Sequence, residues 1–193
     1  MKARIKPTVE QAKKAVRILL EYIGEDPDRE GLLETPKRVV NSYCEIFKGY
    51  GQDPEKILSK TFEDVEGYDE IILLKDICLE SYCEHHMLPI FGKVHIAYLP
   101  NKKIVGISKL ARVVDVFAKR LQTQERLTIQ IACAIDNVLQ TKGVGVIIDS
   151  THQCMTMRGV RKPQSSTLTS CMRGIFRDNE KSRAELISLI TRA

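Results

Sequence analysis

Four histidines and six cysteines are few in a chain of 193 residues. Three of the histidines nevertheless lie within three residues of a cysteine, in Cys83-Glu84-His85-His86 and His152-Gln153-Cys154. Two residues separate Cys83 from His86, a spacing that lets a turn wrap one ion. His152 and Cys154 are two apart and would share a face if that segment is a strand. Cys83, His86 and Cys154 together offer two thiolates and one imidazole, a set that suits Zn²⁺. Three protein ligands leave a fourth position for water, as a catalytic zinc requires. The spacing equally allows a closed structural zinc with His85 or His152 as fourth ligand. If those two are not ligands, they are the side chains able to exchange protons near neutral pH. His95 falls in an alternating stretch away from both clusters and reads as a strand histidine.

Positive charge gathers at Ser108-Lys109-Leu110-Ala111-Arg112, where a helix is expected to open. Helix N-termini favour phosphate, and Lys109 and Arg112 share a face at three-residue spacing. A solvated basic face explains the same spacing. Gln124-Glu125 stands in the first turn of the next helix, where a carboxylate serves the helix dipole or accepts paired N–H donors. Arg158 follows the His-x-Cys segment and could add charge beside a metal. Neither G-x-x-x-x-G-K-[ST] nor G-x-G-x-x-G is present, so those two phosphate grips are excluded.

The elements that must position these residues follow from pattern. Residues 1–66 read as a helical N-terminal extension. Thr8 to Gln11 fits a capping box, Thr35-Pro36 a helix start, and Asp53-Pro54 a third. From residue 67 to 193 the pattern is β-β-α-α-β-β-α. Strands are expected over 71–79, 94–99, 144–148 (with an extension toward Met157) and 167–176. Helices are expected from Ser108 to Leu121, from Thr123 to Thr141 with Gly143 as its terminator, and from Ser182 to Thr191. This is an α+β layout, helices against a mainly antiparallel sheet. Cys44 and Cys133 sit in apolar helical patterns and read as small buried residues, as do Cys78 and Cys171.

Composition bounds the class. Hydrophobic residues make up 43% and charged residues 28%, which excludes a disordered or low-complexity chain. The net charge of +5 is mild, and no basic run or basic–aromatic interleaving points to nucleic acid. The longest aliphatic run, Ile71 to Leu74, is far short of a membrane span. Lys13, Lys14 and Arg17 interrupt any apolar leader, so a cytoplasmic protein with reduced thiols is expected.

Four segments, Ser81 to His86, Gly106 to Arg112, Gln124 to Thr128 and His152 to Met155 with Arg158-Gly159, resemble the GTP cyclohydrolase I family in order and spacing. The likeness runs from about Glu34 onward. It implies conversion of GTP and water to formate and 7,8-dihydroneopterin triphosphate, the entry to folate and pterin synthesis. It implies Cys83, His86 and Cys154 as zinc ligands, and His85 and His152 as the acid–base pair, with His152 protonating N7. It places Glu125, with Gln124 nearby, on the guanine and Ser108 near the ribose. Lys109, Arg112, Arg158 and, from a neighbouring subunit, Arg38 would hold the triphosphate. The implied fold is the tunnelling fold, an antiparallel sheet backed by two helices. Five-fold rings stacked into a homodecamer would carry active sites between subunits. Thr123 and Gln153 depart from the residues more common in the family without removing a functional group. The competing readings are a zinc-stabilised assembly protein and a tunnelling-fold deazaguanine nitrile reductase.

Overall fold

The computed structural model describes residues 6–63 and 67–192. The boundary expected at residue 66 borders positions 64–66, which lie outside the described residues, as do residues 1–5 and 193. Two compact units are present, one ending at Lys48 and one beginning at Gly49.

The first unit holds helix α1 (Val9–Tyr22), a 3-10 turn (Glu30–Leu32) and helix α2 (Thr35–Ile46). Thr8 and Gln11 close the expected capping box, Gln11 N donating to Thr8 Oγ1 at 3.2 Å and Thr8 N to Gln11 Oε1 at 2.9 Å. Thr35 lies inside the first turn of α2 rather than capping it, ahead of Pro36. Neither helix buries a single residue. Ala12, Val16 and Leu20 are half-buried, whereas Ile18, Leu19, Tyr22 and Ile23 are exposed, so the apolar surface of α1 is only partly covered. Cys44 is exposed for the same reason, correcting the expectation that it is buried.

In the second unit, α3 (Pro54–Leu58) is capped by Asp53 and sends Leu58 into the core. There follow β1 (Thr61–Phe62), β2 (Ile72–Cys83), β3 (Pro89–Leu99), β4 (Ile104–Val105), α4 (Ile107–Ala118), β5 (Leu121–Gln122) and α5 (Gln124–Leu139). The chain closes with β6 (Gly143–His152), α6 (Gln153–Thr156), β7 (Thr167–Gly174), α7 (Ile175–Asp178) and α8 (Glu180–Thr191). The main sheet has the order β5-β2-β3-β6-β7. Its long pairs are antiparallel, and β5 joins β2 in parallel. Val94, Ile96, Val144, Val146 and Ile148 face Leu110, Val113, Val114, Leu127, Ile131 and Ile135 of α4 and α5 in one buried cluster. The period of two along the strands meets the 3.6-residue stripe of the helices. Ala97, on the opposite face, packs with Phe176 of α7 and Leu186 of α8. An antiparallel sheet backed by two helices is the α+β, tunnelling-fold layout that the resemblance implied.

Three local differences from the expected elements matter for the site. Strand β2 runs on to Cys83, because Ser81 and Cys83 alternate into the buried layer and Ser81 Oγ donates to Ala118 O at 2.8 Å. Gly106, not Ser108, stands at the N-cap of α4, and that helix stops at Ala118. Helix α5 ends on Gln140 in the left-handed region (φ 48), its N–H bonded to Asp136 O at 2.8 Å. Gly143 opens β6 instead of terminating the helix.

The register brings the carboxyl end of β2, the start of β3 and the end of β6 together at one end of the sheet. Tyr82 pairs with Pro89, and Ile90 with His152. Close approach at this end depends on Gly92, where a Cβ would meet Asp149 O at 2.1 Å. Among the described residues, only Tyr82 and Cys83 of β2 pair with β5, and β7 is the outer strand on the other side, so both sheet margins lack a further paired strand there.

Candidate active site

The turn from β2 to β3 supplies the first two metal-type ligands. Cys83 N donates to Leu88 O at 2.9 Å and Met87 N to Cys83 O at 2.8 Å, closing the loop with Met87 at φ 55. Cys83 Sγ lies 3.8 Å from Nδ1 of both His85 and His86. Beyond β6 the chain makes the helical turn α6 rather than extending the strand, so His152 and Cys154 do not project as strand neighbours. That turn swings Cys154 toward β2. Ligand atoms of Cys83, His86 and Cys154 all lie within 4.8 Å of one another. The set forms a possible metal-binding group with soft and borderline donors. Burial pushes the Cys154 thiol up, Cys83 adds to this, and the charge of Arg158 works against it.

His152 is held from behind. Gln124 is buried and fully committed: its Nε2 donates to Ile148 O at 3.0 Å and Thr167 O at 2.8 Å. Its Oε1 accepts from Ser150 Oγ at 2.7 Å and lies 2.8 Å from His152 Nε2. Two carbonyls fix the nitrogen end of the amide, so the end facing His152 is an oxygen and can only accept. Nε2 of His152 therefore carries a proton, and Nδ1 is its second nitrogen for exchange. Burial holds the His152 pKa below the ordinary histidine value, with nearby Glu125 countering.

These side chains line a cavity of about 250 Å³. Of the residues predicted from sequence, Cys83, His85, His86, Gln124, Glu125, His152 and Cys154 meet there, with Gln122, Thr123, Met155 and Thr167. Ser108, Lys109 and Arg112 do not line it; they stand at the start of α4, whereas the Ser81–Ala118 bond brings its other end to β2. Arg158 is exposed on the turn after α6, its charge reaching Cys154. Arg38 belongs to α2 of the first unit. Sequence reasoning did not single out Ser150 or Thr167. Ser150 precedes His152 by two on β6 and was findable by strand alternation, while Thr167 reaches the site only through the β6–β7 register. Cys78 is exposed, and Cys133 and Cys171 are half-buried, correcting their expected burial. His95 is a strand histidine as expected, its Nδ1 accepting Asp76 N–H at 3.2 Å.

Among the described residues, no helix is long and apolar enough to cross a membrane. Residues 12–191 match the family model of GTP cyclohydrolase I. The chain is 54% identical to GTP cyclohydrolase 1 of Brucella suis over 185 residues, 96% of this chain and 87% of that protein. It is 53% identical to GTP cyclohydrolase 1 of Maricaulis maris over 188 residues, 97% and 92% of the two chains. A crystal structure of an archaeosine synthase QueF-Like protein superimposes with a TM-score of 0.46 at 17% identity, covering 55% of this chain and 96% of that one. With the family model spanning nearly its whole length, the chain belongs to the GTP cyclohydrolase I family.

Proposed function

We propose that the chain hydrolyses GTP to formate and 7,8-dihydroneopterin triphosphate, with Zn²⁺ held by Cys83, His86 and Cys154. One observation carries this reading: two thiols and an imidazole converge in a cavity that also holds two further histidines and a carboxylate. Two sulfurs and one nitrogen suit Zn²⁺ better than the hard cations, which prefer oxygen. Bound there, the ion supplies Lewis acidity toward substrate and water.

The protein side chains then have distinct tasks. Glu125 is exposed in the cavity at the first turn of α5, placed to accept the paired N–H donors of a guanine edge. His152, oriented by Gln124, delivers a proton through Nδ1 to N7 as the imidazole ring of the base opens. His85 serves the second proton transfer, and formate leaves. The amide of Gln124 is spent on β6, β7, Ser150 and His152, so its part is to hold His152 rather than to grip the base. Ser108 assists at the ribose. Lys109, Arg112, Arg158 and Arg38 offset triphosphate charge.

A single chain supplies these groups in two places, which favours sites shared between copies. Lys109 lies nine residues before Ala118, about 14 Å along the helix from the end that touches β2. Open sheet edges and the exposed Ile18, Leu19, Tyr22 and Ile23 at α1 favour self-association, and we assign a decamer of two pentameric rings. In this reading residues 67–193 do the chemistry and the helical segment before them serves assembly. A reducing compartment, the cytosol, keeps both sulfur ligands as thiols. Incubating the zinc-loaded protein with GTP should release formate and, after oxidation, a fluorescent pterin. Absence of both products from metal-loaded protein would overturn the activity.

A further inference from the structure

We propose that Arg126 is a positioning residue for the metal centre, clamping the Cys83–His86 turn through Glu84. The inference rests on the reading of Cys83, His86 and Cys154 as the metal group. Two of those three ligands sit on one short turn, where His85, His86 and Met87 are all exposed. Its internal bonds close the loop but do not fix it sideways. Glu84, between the ligand Cys83 and His85, does so twice. Its N–H donates to Gln122 O at 3.0 Å, and its carboxylate pairs with the Arg126 guanidinium. The other carboxylate oxygen stands 3.9 Å from His85 Nε2, so the same group steadies the neighbouring histidine.

Arg126 is itself held in place before it meets Glu84. Its Nε donates to Gln122 Oε1 and its terminal nitrogen to Leu121 O, both at 3.1 Å. Gln122 is buried, with Nε2 donating to Phe117 O and Gln130 Oε1, both at 2.9 Å. Little side-chain freedom remains to be lost when the ion pair forms. The position also runs against the helix. Arg126 lies in the first turn of α5, where the macrodipole disfavours a cation. Nothing within α5 accounts for a cation there, whereas Glu84 across the gap does. Arg126 is neither one of the ligands nor itself a lining residue of the cavity; it meets the lining only at Gln122 and reaches the ligand turn through Glu84.

The test is a metal-affinity cycle on the full chain. Zinc affinity is measured by competition with a chromophoric chelator for the wild type, Arg126→Gln, Glu84→Gln and the double variant, with Cys154→Ser as reference. The Co²⁺-loaded proteins report ligand geometry through their ligand-field spectra. Each single variant should bind zinc about tenfold more weakly, the lower end of what outer hydrogen-bond partners of a metal site contribute. The double variant should be no worse than either single one, the Co²⁺ spectrum should change, and Arg126→Lys should recover part of the loss. Wild-type affinity in Arg126→Gln, or additive losses in the double variant, would overturn the clamp while Cys154→Ser still loses metal. Full zinc retention by Cys154→Ser would instead overturn the metal reading on which the clamp rests. Should Arg126→Gln fail to fold, Glu84→Gln and Arg126→Lys carry the same comparison.

Discussion

Replacing Gln124 by alanine should damage stability and turnover together while leaving the metal group intact. The amide makes four hydrogen bonds inside a site where Gln124 and Ser150 are each 2% exposed. A typical hydrogen bond contributes about 0.5–1.5 kcal/mol net, and each buried partner left alone loses about 1–3 kcal/mol. Water can refill a polar void of this size and recover part of the loss. The expected destabilisation is therefore about 2–4 kcal/mol. For a chain this long, 1 kcal/mol moves the melting temperature by about 2–4 °C, so Tm should fall by about 4–16 °C. Gln124→Glu is the sharper variant. It preserves shape but turns an oxygen toward Ile148 O and Thr167 O, which already present oxygens. It should lose stability despite its matched size. Thermal melts at fixed protein concentration, zinc content and formate release from GTP give the three readouts. Zinc content should hold and formate release should collapse, because His152 loses the acceptor that orients it. A Tm within about 1 °C of wild type, with unchanged formate release, would refute the argument that this amide carries either the β6–β7 junction or the histidine.

Three further outcomes are expected. Cys154→Ser replaces a soft donor by a hydroxyl and should lose zinc during gel filtration that the wild type survives; equal metal content would remove Cys154 from the ligand set. Neutral His95 accepts Asp76 N–H, and burial holds its pKa down, with Asp76 and Asp149 opposing and Lys75 and Lys93 reinforcing. The unfolded chain then binds this proton first, so stability should fall as pH drops through the ordinary histidine range near about 6.5 toward the lower folded value. His95→Gln can accept the same N–H without titrating and should flatten that slope in urea titrations at several pH values; an unaltered slope would remove His95 as its source. Gly92→Ala would place a Cβ 2.1 Å from Asp149 O and 2.5 Å from Ser150 Cβ, prising β3 from β6. Overpacking of this kind should lower unfolding free energy by about 2–3 kcal/mol, and a loss under about 0.5 kcal/mol in urea would show that the strands part freely.

The site was legible where chemistry is written in adjacent residues. Cys83 with His86, and His152 with Cys154, announce themselves by type and spacing, and the caps at Thr8, Asp53 and Thr123 mark helix starts whose hydrogen bonds are local. What escaped depends on partners distant in sequence. The extension of β2 to Cys83 turns on Ser81 finding Ala118 O, 37 residues away. The clamp on Glu84 comes from Arg126, 42 residues on, and a Glu–Arg pair at that separation has no periodic signature. Gln140 takes the left-handed cap expected of Gly143 because β6 needs a glycine at its start, where a Cβ would meet Ile175 Cγ2 at 2.8 Å. The exposed thiols misled for two reasons: Cys78 reads as buried only because it matches no ligand position, and an apolar helical pattern around Cys44 records a stripe and not what covers it.

That last distinction bears on how a triphosphate is held. Several negative charges must be met by cations, and Lys119 and Arg120 just after α4 and Arg126 on α5 are engaged. Lys119 Nζ lies 2.9 Å from Glu80 Oε2, and Arg120 donates to the carbonyls of Gly49, Val116 and Gln52. Arg126 is paired with Glu84. Arg158 stands close enough to act on Cys154, but one guanidinium does not balance a triphosphate. Lys109 and Arg112 lie toward the opposite end of α4 and do not line the cavity, Lys109 standing about 14 Å along the helix from Ala118. Under the proposed site assignment, a chain working alone would bind the base end of GTP and leave the phosphates largely to solvent. Under the proposed assembly the same helix serves two chains, bracing its own β2 at Ala118 and lending its basic end to a neighbour's cavity.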